Sequence, residues 1–489
     1  MFRVNKYLIF LFLLVFNFCE GQNYHAINGS PYSGSLGSAY NPASVVYSPY
    51  AWDITPFAVQ AKQSTNAFTI KNYSLLSNVK NAEVSIQNGT KKRYFFANQD
   101  IRLLNTRISL NAKASIAFGA NVRNYVYVLN SKSNWQDSIF ILRDFMKINT
   151  DHLPLSGEFV GSAWAEVYGS YAQTIIDDGK RLLNAGITLK LNRALAGGYM
   201  KAQGVNYSPT PPENGSGYSV TTGSLQYGYS NNFDAIDNAK SNNDNRKAFL
   251  QNTYAGIAAD LGLEYILLRD EDNEEANEVG YDTKIGISIM DLGNNKYRYS
   301  AKSRLAIAGK EGLTDSLLEN KFPSPGTADN FNDSLASISN SIATLSGNFF
   351  IYQPTRLVIN IDKHISQSLF INAEITLPII ALASGNALFI KDMNLLALTP
   401  RWETKSLGAY FPLLLSAKGQ LWLGGAFKAG PLLLGLHNFG DLFSKNKSQN
   451  GGLYLAITIR PAKKYDRQEH YPREKLTGKE RRSLACPKL

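Results

Sequence analysis

The sequence predicts an all-β fold, a transmembrane antiparallel β-barrel of about fourteen strands preceded by a plug segment. First, apolar and polar residues alternate with a period of two along many segments, which is typical of strands with two different faces. Second, short turns alternate with long polar loops, as they do in membrane barrels. Third, no run of about 18 apolar residues follows residue 21, which excludes a helical membrane protein.

The composition excludes other classes. Of the 489 residues, 44% are hydrophobic and 12% are aromatic, which is too apolar for a disordered chain. Only two residues are cysteines, so a disulfide framework is excluded. The formal net charge is +11, yet no nucleic-acid partner is expected, because this charge does not lie on a recognisable binding module.

The N-terminus predicts export. Two cations precede an apolar run over residues 7–16, which is too short to span a bilayer, and small residues then fit a cleavage site after Gly21. Residues 1–21 are therefore expected to be a signal peptide. The alternative is a lipoprotein signal acylated at Cys19, which the bulky Phe18 before it disfavours.

The alternation assigns side chains to two faces of each strand. Its clearest example is residues 369–377, where apolar residues at odd positions face lipid and polar residues at even positions face the lumen. A soluble β-sandwich produces the same alternation. The predicted lumen-facing set has mixed charge and comprises Arg107, Arg123, Lys190, Asp260, Glu264, Asn360, Asp362, Glu374, Lys428 and Arg460. Two interpretations stay open for this set: pairing across strands in a wet interior, or a selective ionic path.

Loop lengths favour the membrane barrel over the sandwich. Strands are expected near residues 52–70, 100–111, 114–128, 158–175, 181–195, 252–268, 282–299, 351–363, 368–380, 392–403, 406–416, 419–428, 430–437 and 452–460. Long polar loops and short turns alternate at the junctions between successive strands, so the long loops fall on one side of a membrane. Two junctions depart from this pattern: the one at 417–419 is short, and the one at 269–281 is long. An even strand number places both termini in the periplasm.

Aromatic residues near strand ends suggest interfacial girdles. The residues concerned are Tyr125, Tyr127, Trp164, Tyr168, Tyr297, Tyr299, Trp402 and Tyr410, although some aromatic residues must fill the lumen instead. A barrel of about fourteen strands is too wide for its own side chains to fill. A plug or a restricted passage is therefore expected.

Several segments resemble a known family. Residues 34–44, which contain Asn41-Pro42-Ala43, resemble the N-terminal element of FadL-type barrels, where a plug precedes the first strand. Residues 286–297, 427–438 and 452–457 resemble an uncharacterised family of Bacteroidota outer-membrane proteins. The resemblance spans most of residues 30–461 and implies a FadL-like barrel of fourteen strands in the outer membrane. We expect a plug over residues 22–50 and the barrel over 51–461. Wider relatives of that family include fatty-acid transporters and PorV-like parts of a secretion system, so the resemblance implies no ligand.

Two short motifs have local structural interpretations. Asn41-Pro42 is typical of a tight turn, because Pro fixes one dihedral angle and Asn bonds to its own backbone. Asp291-Leu292-Gly293 is expected to form a bulge or turn at the end of a strand, with Gly relieving backbone strain.

The sequence shows no recognisable catalytic or metal-binding motif. The five histidines are His25, His152, His364, His437 and His470, and none has metal-ligand spacing. The acidic run over residues 270–275 lacks the Gly and Glu of a calcium loop. No catalytic, cofactor-binding or metal residue and no cofactor is therefore expected. An enzyme that brings a Ser and a His together in three dimensions is the minor alternative.

Residues 462–489 form a basic tail without a strand pattern. They include nine Lys or Arg and four Asp or Glu residues. Because the predicted strand number is even, this tail is expected in the periplasm. There it either docks on an acidic partner or on anionic head groups, or it remains an unstructured polar segment.

These observations predict a protein of the cell outer membrane, surrounded by outer-membrane lipids. The first expectation is passive transport of a small apolar or amphipathic solute, with a small hydrophobic ligand as the partner. The alternative is a non-conducting scaffold or accessory component of an envelope secretion or surface-assembly complex, with a periplasmic or secretion-system protein as the partner.

Overall fold

A computed structural model describes residues 25–74, 77–210, 217–237, 239–269, 280–310, 312–323, 326–379, 387–443 and 449–461. Within these ranges one antiparallel sheet closes on itself, because the first barrel strand pairs with the last, for example Ala58 with Ala456. The predicted signal peptide, the acidic run over 270–275 and the basic tail lie outside the described residues.

Fourteen strands form the barrel wall, each antiparallel to its neighbours. They are β1 (Trp52–Thr65), β2 (Gly89–Asn111), β3 (Ala114–Trp135), β4 (Leu155–Asp177), β5 (Arg181–Pro209), β6 (Tyr254–Leu268), β7 (Tyr281–Arg298), β8 (Arg356–Ser366), β9 (Leu369–Pro378), β10 (Leu395–Glu403), β11 (Leu407–Tyr410 and Leu413–Ser416), β12 (Leu421–Leu423 and Gly425–Ala429), β13 (Leu432–Leu436) and β14 (Asn450–Gly451 and Leu453–Ile459). The predicted fold class is confirmed. We call the end with short turns the inner end and the end with long connections the outer end.

The two faces of the wall are chemically inverted relative to a soluble protein. On β5 the outward-facing Leu189 and Leu191 are each 64% exposed, whereas Lys190 between them is 6% exposed. On β6 Ile257 is 75% exposed, and Asp260 is 1% exposed. A wall with apolar side chains outside and charged side chains inside is typical of a membrane barrel and excludes the soluble sandwich.

The long connections carry secondary structure that the sequence did not predict. Additional strands are Phe68–Lys71, Glu83–Ile86, Tyr218–Tyr229, Arg304–Gly309, Ser339–Thr344, Asn348–Tyr352 and Leu388–Phe389. The helices are α1 (Leu142–Lys147), α2 (Asn242–Gln251), α3 (Asp315–Lys321), α4 (Ala328–Ile338) and α5 (Gly440–Phe443). Short 3-10 helices outside the plug are Val79–Asn81, Thr150–His152 and Asn231–Ala235. Among the described residues, no helix is long and apolar enough to cross a membrane.

Three of these strands build an outer lobe onto β5. The outer half of β5 pairs with the strand Tyr218–Tyr229. That strand pairs with Arg304–Gly309, which pairs on its other side with Ser339–Thr344. Buried side chains of the lobe, including Tyr227, Leu335 and Ile338, form a separate small core. The connections at 196–251 and 300–350 are therefore folded extensions of the wall.

Residues 25–50 lie within the barrel as a plug. The segment contains two 3-10 helices, Gly34–Ala39 and Pro42–Val45, and most of its residues are buried. Asn41 caps the second helix, since its Oδ1 accepts a hydrogen bond from the backbone N–H of Ala43 at 2.9 Å. The turn predicted at Asn41-Pro42 is thus formed.

The girdle interpretation is wrong for most of the aromatic residues assigned to it. The side chains that the structure buries inside the barrel are Tyr125, Tyr127, Trp164, Tyr168, Tyr297 and Tyr410. Tyr299 is half-buried, and Trp402, at 40% exposure, faces outward. The reason is strand parity: Tyr125 and Tyr127 stand two and four residues from Arg123 and share its lumen-facing side.

Candidate functional site

The interior of the barrel is layered. Nearest the outer end lies an aromatic layer, which contains Tyr125, Tyr127, Trp164 and Tyr297. Below it lies a charged layer centred on Asp291. Below that, toward the inner end, lies the plug. The layers follow from the alternation, because each strand contributes its lumen-facing residues to successive levels.

The charged layer depends on a bulge in β7. The pairing of β7 with β6 shifts register between Ile289 and Leu292, and Asp291 has a φ of 61°. The backbone N–H of Asp291 donates to Asp260 Oδ1 at 2.7 Å, and Thr355 Oγ1 donates to the backbone carbonyl of Asp291 at 2.8 Å. The bulge predicted from Asp-Leu-Gly is present, but it lies in the middle of a strand and points the Asp291 carboxylate into the lumen.

Three cations from three strands meet the Asp291 carboxylate. Arg123 of β3 donates to both of its oxygens, at 2.6 and 2.8 Å, and Lys190 of β5 donates at 2.6 Å. Arg356 of β8 also donates to it. Asp291 is completely buried, so these bonds form away from solvent, where charge pairing is strongest.

The remaining charges of this layer also have partners. Lys190 lies 2.8 Å from Asp260, and Arg123 lies 3.5 Å from Glu166. Asp100 lies 3.4 Å from the Arg102 guanidinium. Four cations and four carboxylates therefore balance across the layer: Arg102, Arg123, Lys190, Arg356, Asp100, Glu166, Asp260 and Asp291. This balance favours pairing across strands over a selective ionic path.

A second ionic cluster lies nearer the inner end. Arg401 donates to Asp362 Oδ2 at 2.8 Å and to Glu403 at 3.1 Å, and Lys428 donates to Glu403 at 2.9 Å. The Tyr410 hydroxyl donates to the same Glu403 carboxylate at 2.6 Å. All of these side chains are buried, so the inner end of the lumen is also closed by paired charges.

Hydrogen bonds attach the plug to strands on every side of the wall. Ser35 N–H donates to Asp53 of β1 at 2.7 Å, and Ser30 Oγ donates to Glu403 of β10 at 2.7 Å. Further contacts with the plug come from Arg107 of β2, Ser288 of β7, Arg356 of β8, Glu374 of β9 and Arg460 beyond β14. Because these strands surround the segment, the plug lies across the lumen.

Two facing glycines receive the Asn41-Pro42 turn. Gly186 of β5 pairs directly with Gly262 of β6. A Cβ atom on Gly186 would lie 2.5 Å from backbone atoms of Pro42 and Ala43, and one on Gly262 would lie 2.0 Å from Asn41 Oδ1. Only glycine allows the plug to approach the wall this closely.

The predicted lumen-facing set lies in the lumen. The nine buried members are Arg107, Arg123, Lys190, Asp260, Glu264, Asn360, Asp362, Glu374 and Lys428. The tenth, Arg460, is partly exposed and donates to the carbonyl of Tyr32 in the plug at 2.8 Å. Sequence reasoning missed the central role of Asp291, whose place in the network depends on residues distant in sequence.

A cavity of about 260 Å³ lies at the outer end of the lumen. Its apolar lining includes Phe96, Leu129, Ile379, Phe389, Ile390 and Met393. Residues 387–394 fold inward to form part of it: the backbone N–H of Ile390 donates to Tyr352 O at 3.0 Å, and Asp392 accepts from Asn98 of β2 at 3.1 Å. Such a volume, with more apolar than polar surface, suits a small molecule.

The charged layer leaves far less space. A cavity of about 20 Å³ lies between the charged layer and Ser38 and Ala39 of the plug. This volume holds about one water molecule. Passage along the lumen from the outer cavity to the inner end therefore requires the charged layer and the plug to move.

Four of the five histidines lie within the described ranges, and their surroundings differ. His25 of the plug lies 3.3 Å from Glu374, and its ring centroid is 6.3 Å from that of His437. His364 contacts the ring of Phe370, while His152 belongs to an outer connection. Across the part of the chain that the structure describes, no group of three or more His, Cys, Asp or Glu residues could hold a metal ion.

Comparison with known proteins adds a family but no activity. No curated protein is significantly similar to the chain. Among solved structures, a Pseudomonas aeruginosa FadL homologue is 9% identical, with 88% of this chain and 95% of that chain covered and a TM-score of 0.39. The P. putida toluene transporter TodX is also 9% identical, with the same coverages and a TM-score of 0.37. Residues 42–436 match a family of unknown function, DUF5723, and the chain belongs to this family.

Proposed function

We propose that this barrel resides in the outer membrane and passively transports a small apolar or amphipathic solute, which it first binds in the outer cavity. The observation that carries the proposal is the apolar cavity of about 260 Å³ inside a wall whose outer surface is itself apolar. Export by a signal peptide over residues 1–21 is part of the proposal.

The outward-facing side chains support a membrane location. Along β5 an apolar stretch that includes Ile187, Leu189 and Leu191 is bracketed by the exposed Arg181 and Arg193. These two cations are 12 residues apart, which corresponds to roughly 30 Å across a membrane at the usual strand tilt. That height matches the hydrocarbon core of a bilayer.

The chemistry of the cavity supports an apolar or amphipathic ligand. Two of its three charged lining residues already have partners: Lys391 Nζ donates to Glu158 at 2.6 Å, and Asp392 accepts from Asn98. Lys418 lies with its ammonium 5.7 Å from the centre of the Tyr94 ring. A ligand therefore meets mostly apolar surface.

Filling the cavity is expected to abolish solute uptake. In Leu129→Trp, the larger ring occupies volume that the ligand needs, so uptake of a fluorescent apolar probe such as N-phenylnaphthylamine into proteoliposomes should fall at least ~10-fold. Leu110→Trp is the matched control, because Leu110 is 54% exposed on β2 and should leave uptake unchanged. Failure of the wild-type protein to bind or transport any of a panel of lipids and small aromatics would reject the transport proposal.

The second candidate is a non-conducting scaffold of an envelope secretion or surface-assembly complex. The observation that favours it is the closed interior, where the plug and two ionic clusters occupy the lumen. The folded outer lobe offers a surface to a partner outside, and the basic tail offers one inside. Co-purification of an envelope protein that depends on residues 462–489 or on the lobe, together with no uptake, would support this candidate over transport.

A further inference from the structure

Five cations form an outer basic patch at the outer end of β5, β6 and β7. They are Arg193, Arg246, Lys247, Lys296 and Arg298. We propose that this patch binds the phosphorylated headgroup of a glycolipid in the outer leaflet. The inference goes beyond solute transport and rests only on the proposed membrane location.

Arg193 and Lys296 lie on the lipid-facing side of the wall. Arg193 follows Leu189 and Leu191 on the same face of β5 and is exposed like them. Lys296 precedes the buried Tyr297 on β7 and therefore points away from the lumen. Both cations thus face the surrounding membrane.

The strand register brings these two cations together. Arg193 pairs with Ala255 of β6, which follows Tyr254. Gly293 of β7 pairs with Ala258 of β6, so Lys296, three residues further along β7, lies at the level of Ala255. The ammonium of Lys296 lies 5.4 Å from the centre of that Tyr254 ring. Arg298 is two residues further along the same face of β7, opposite Asn348.

Helix α2 adds two cations to this surface. Arg193 Nη2 donates to the carbonyl of Leu250 at 3.1 Å, which holds the end of the helix against β5. Arg246 and Lys247 lie about one helical turn before Leu250. The helix therefore continues the patch beyond the barrel wall.

Exposed apolar side chains within α2 and just before it indicate that this element rests on a membrane surface. Phe233, Ile236 and Leu250 are 42%, 48% and 44% exposed. Cations next to protruding apolar residues are typical of segments that lie in the headgroup region of a bilayer. Because the patch is continuous with the lipid-facing apolar stretch of β5, a lipid is favoured over a soluble partner.

The nearby carboxylates have other partners. Asp234 accepts a hydrogen bond from the Tyr229 hydroxyl at 3.1 Å, and Asp237 lies 3.8 Å from Lys240. Asp244 accepts from Ser241 at the start of α2 at 2.7 Å. Among the residues that the structure describes, none of the five patch cations forms an ion pair within 4.0 Å. The positive charge of the patch can therefore bind an anionic group of a membrane lipid.

The test is binding of bisphosphorylated lipid A to the purified, full-length protein in detergent, measured by native mass spectrometry. The triple variant Arg193→Gln, Arg246→Gln and Lys296→Gln should bind it at least ~10-fold more weakly, since each headgroup contact contributes electrostatically. Lipid A without phosphates should bind both proteins equally weakly. Inorganic phosphate alone should not compete at millimolar concentration, because the apolar neighbours require the lipid.

A matched control removes three cations from the opposite rim. Lys113→Gln, Arg181→Gln and Lys363→Gln lower the net charge equally, and these residues lie at the inner end of the barrel. Lipid A affinity should be unchanged in this control. The proposal is overturned if both triple variants lose affinity equally, if neither does, or if free phosphate binds as tightly as the lipid. None of these outcomes bears on solute uptake, which is measured separately.

Discussion

Replacement of Asp291 by Asn is expected to destabilise the barrel by about 3–5 kcal/mol, which is the usual effect of breaking a buried ion pair. The Asn side chain keeps the shape of Asp and tolerates the left-handed backbone at this position, where φ is 61°. The variant therefore removes charge without forcing the bulge to change.

The reason for so large an effect is the convergence of three cations on one carboxylate. In the Asp291→Asn variant, Arg123 still has the Glu166 carboxylate nearby, and Lys190 still has that of Asp260. In the described part of the chain, the ion pair of Arg356 is with Asp291 alone. Without that partner, a guanidinium remains buried and unpaired, which costs several kcal/mol.

Unfolding in guanidinium chloride, followed by tryptophan fluorescence in lipid vesicles, measures the effect. Asp282→Asn is the control, because Asp282 pairs with Lys363 at the rim, where both side chains are more than 40% exposed, and such pairs contribute about 0–1 kcal/mol. The double variant Asp291→Asn and Arg356→Met should recover part of the loss, because it removes the stranded charge. Equal stabilities of Asp291→Asn and Asp282→Asn would contradict the central role of Asp291.

Gly186→Leu is expected to increase the population in which the plug is detached from the wall. A Cβ at this position would overlap backbone atoms of Pro42 and Ala43, which cannot move without displacing the segment. Overpacking of this kind typically costs 1–3 kcal/mol, so the population with a detached plug should rise by roughly 10- to 100-fold. Limited proteolysis of folded protein in vesicles, with cleavage between residues 25 and 50 identified by mass spectrometry, measures that population.

Gly169→Leu is the matched control for this substitution. Gly169 lies on β4, and a Cβ added to it would meet nothing within 4 Å. It pairs with the lipid-facing Leu189, so the new side chain would extend into lipid. Cleavage should stay at the wild-type rate. If Gly186→Leu also leaves cleavage unchanged while the barrel remains folded, the plug is not seated as described.

Much of the wall could be predicted from sequence, because lipid and lumen impose opposite preferences on alternate residues. That pattern located all fourteen strands and the ten lumen-facing polar residues. The Asn41-Pro42 turn was also predictable, since its geometry depends on adjacent residues. Tyr125 and Tyr127 share the strand parity of Arg123, so parity predicts their place in the lumen better than their position near a strand end does.

The charged layer, the outer lobe and the outer cavity could not be predicted from the sequence. They depend on contacts between residues distant in sequence, or they lie outside the part of the wall that faces lipid. Arg123 and Asp291 are 168 residues apart, so no local pattern links them. The strand Tyr218–Tyr229 meets water on much of its surface, so it lacks the apolar alternation that identified the wall. The inward fold of residues 387–394, which builds the outer cavity, likewise depends on the barrel being formed.

The most direct test of the proposed transport mechanism is solute uptake with the plug covalently locked. Ser35 Oγ of the plug lies 3.0 Å from Thr55 Oγ1 of β1, so Ser35→Cys and Thr55→Cys place two sulfurs within reach of a disulfide. Cys486→Ser removes the one cysteine that follows the predicted leader. In proteoliposomes, oxidation should reduce uptake of the fluorescent probe to the protein-free level, and a reductant should restore it. Equal uptake by the oxidised and reduced proteins would contradict the account that the plug must move for a solute to pass.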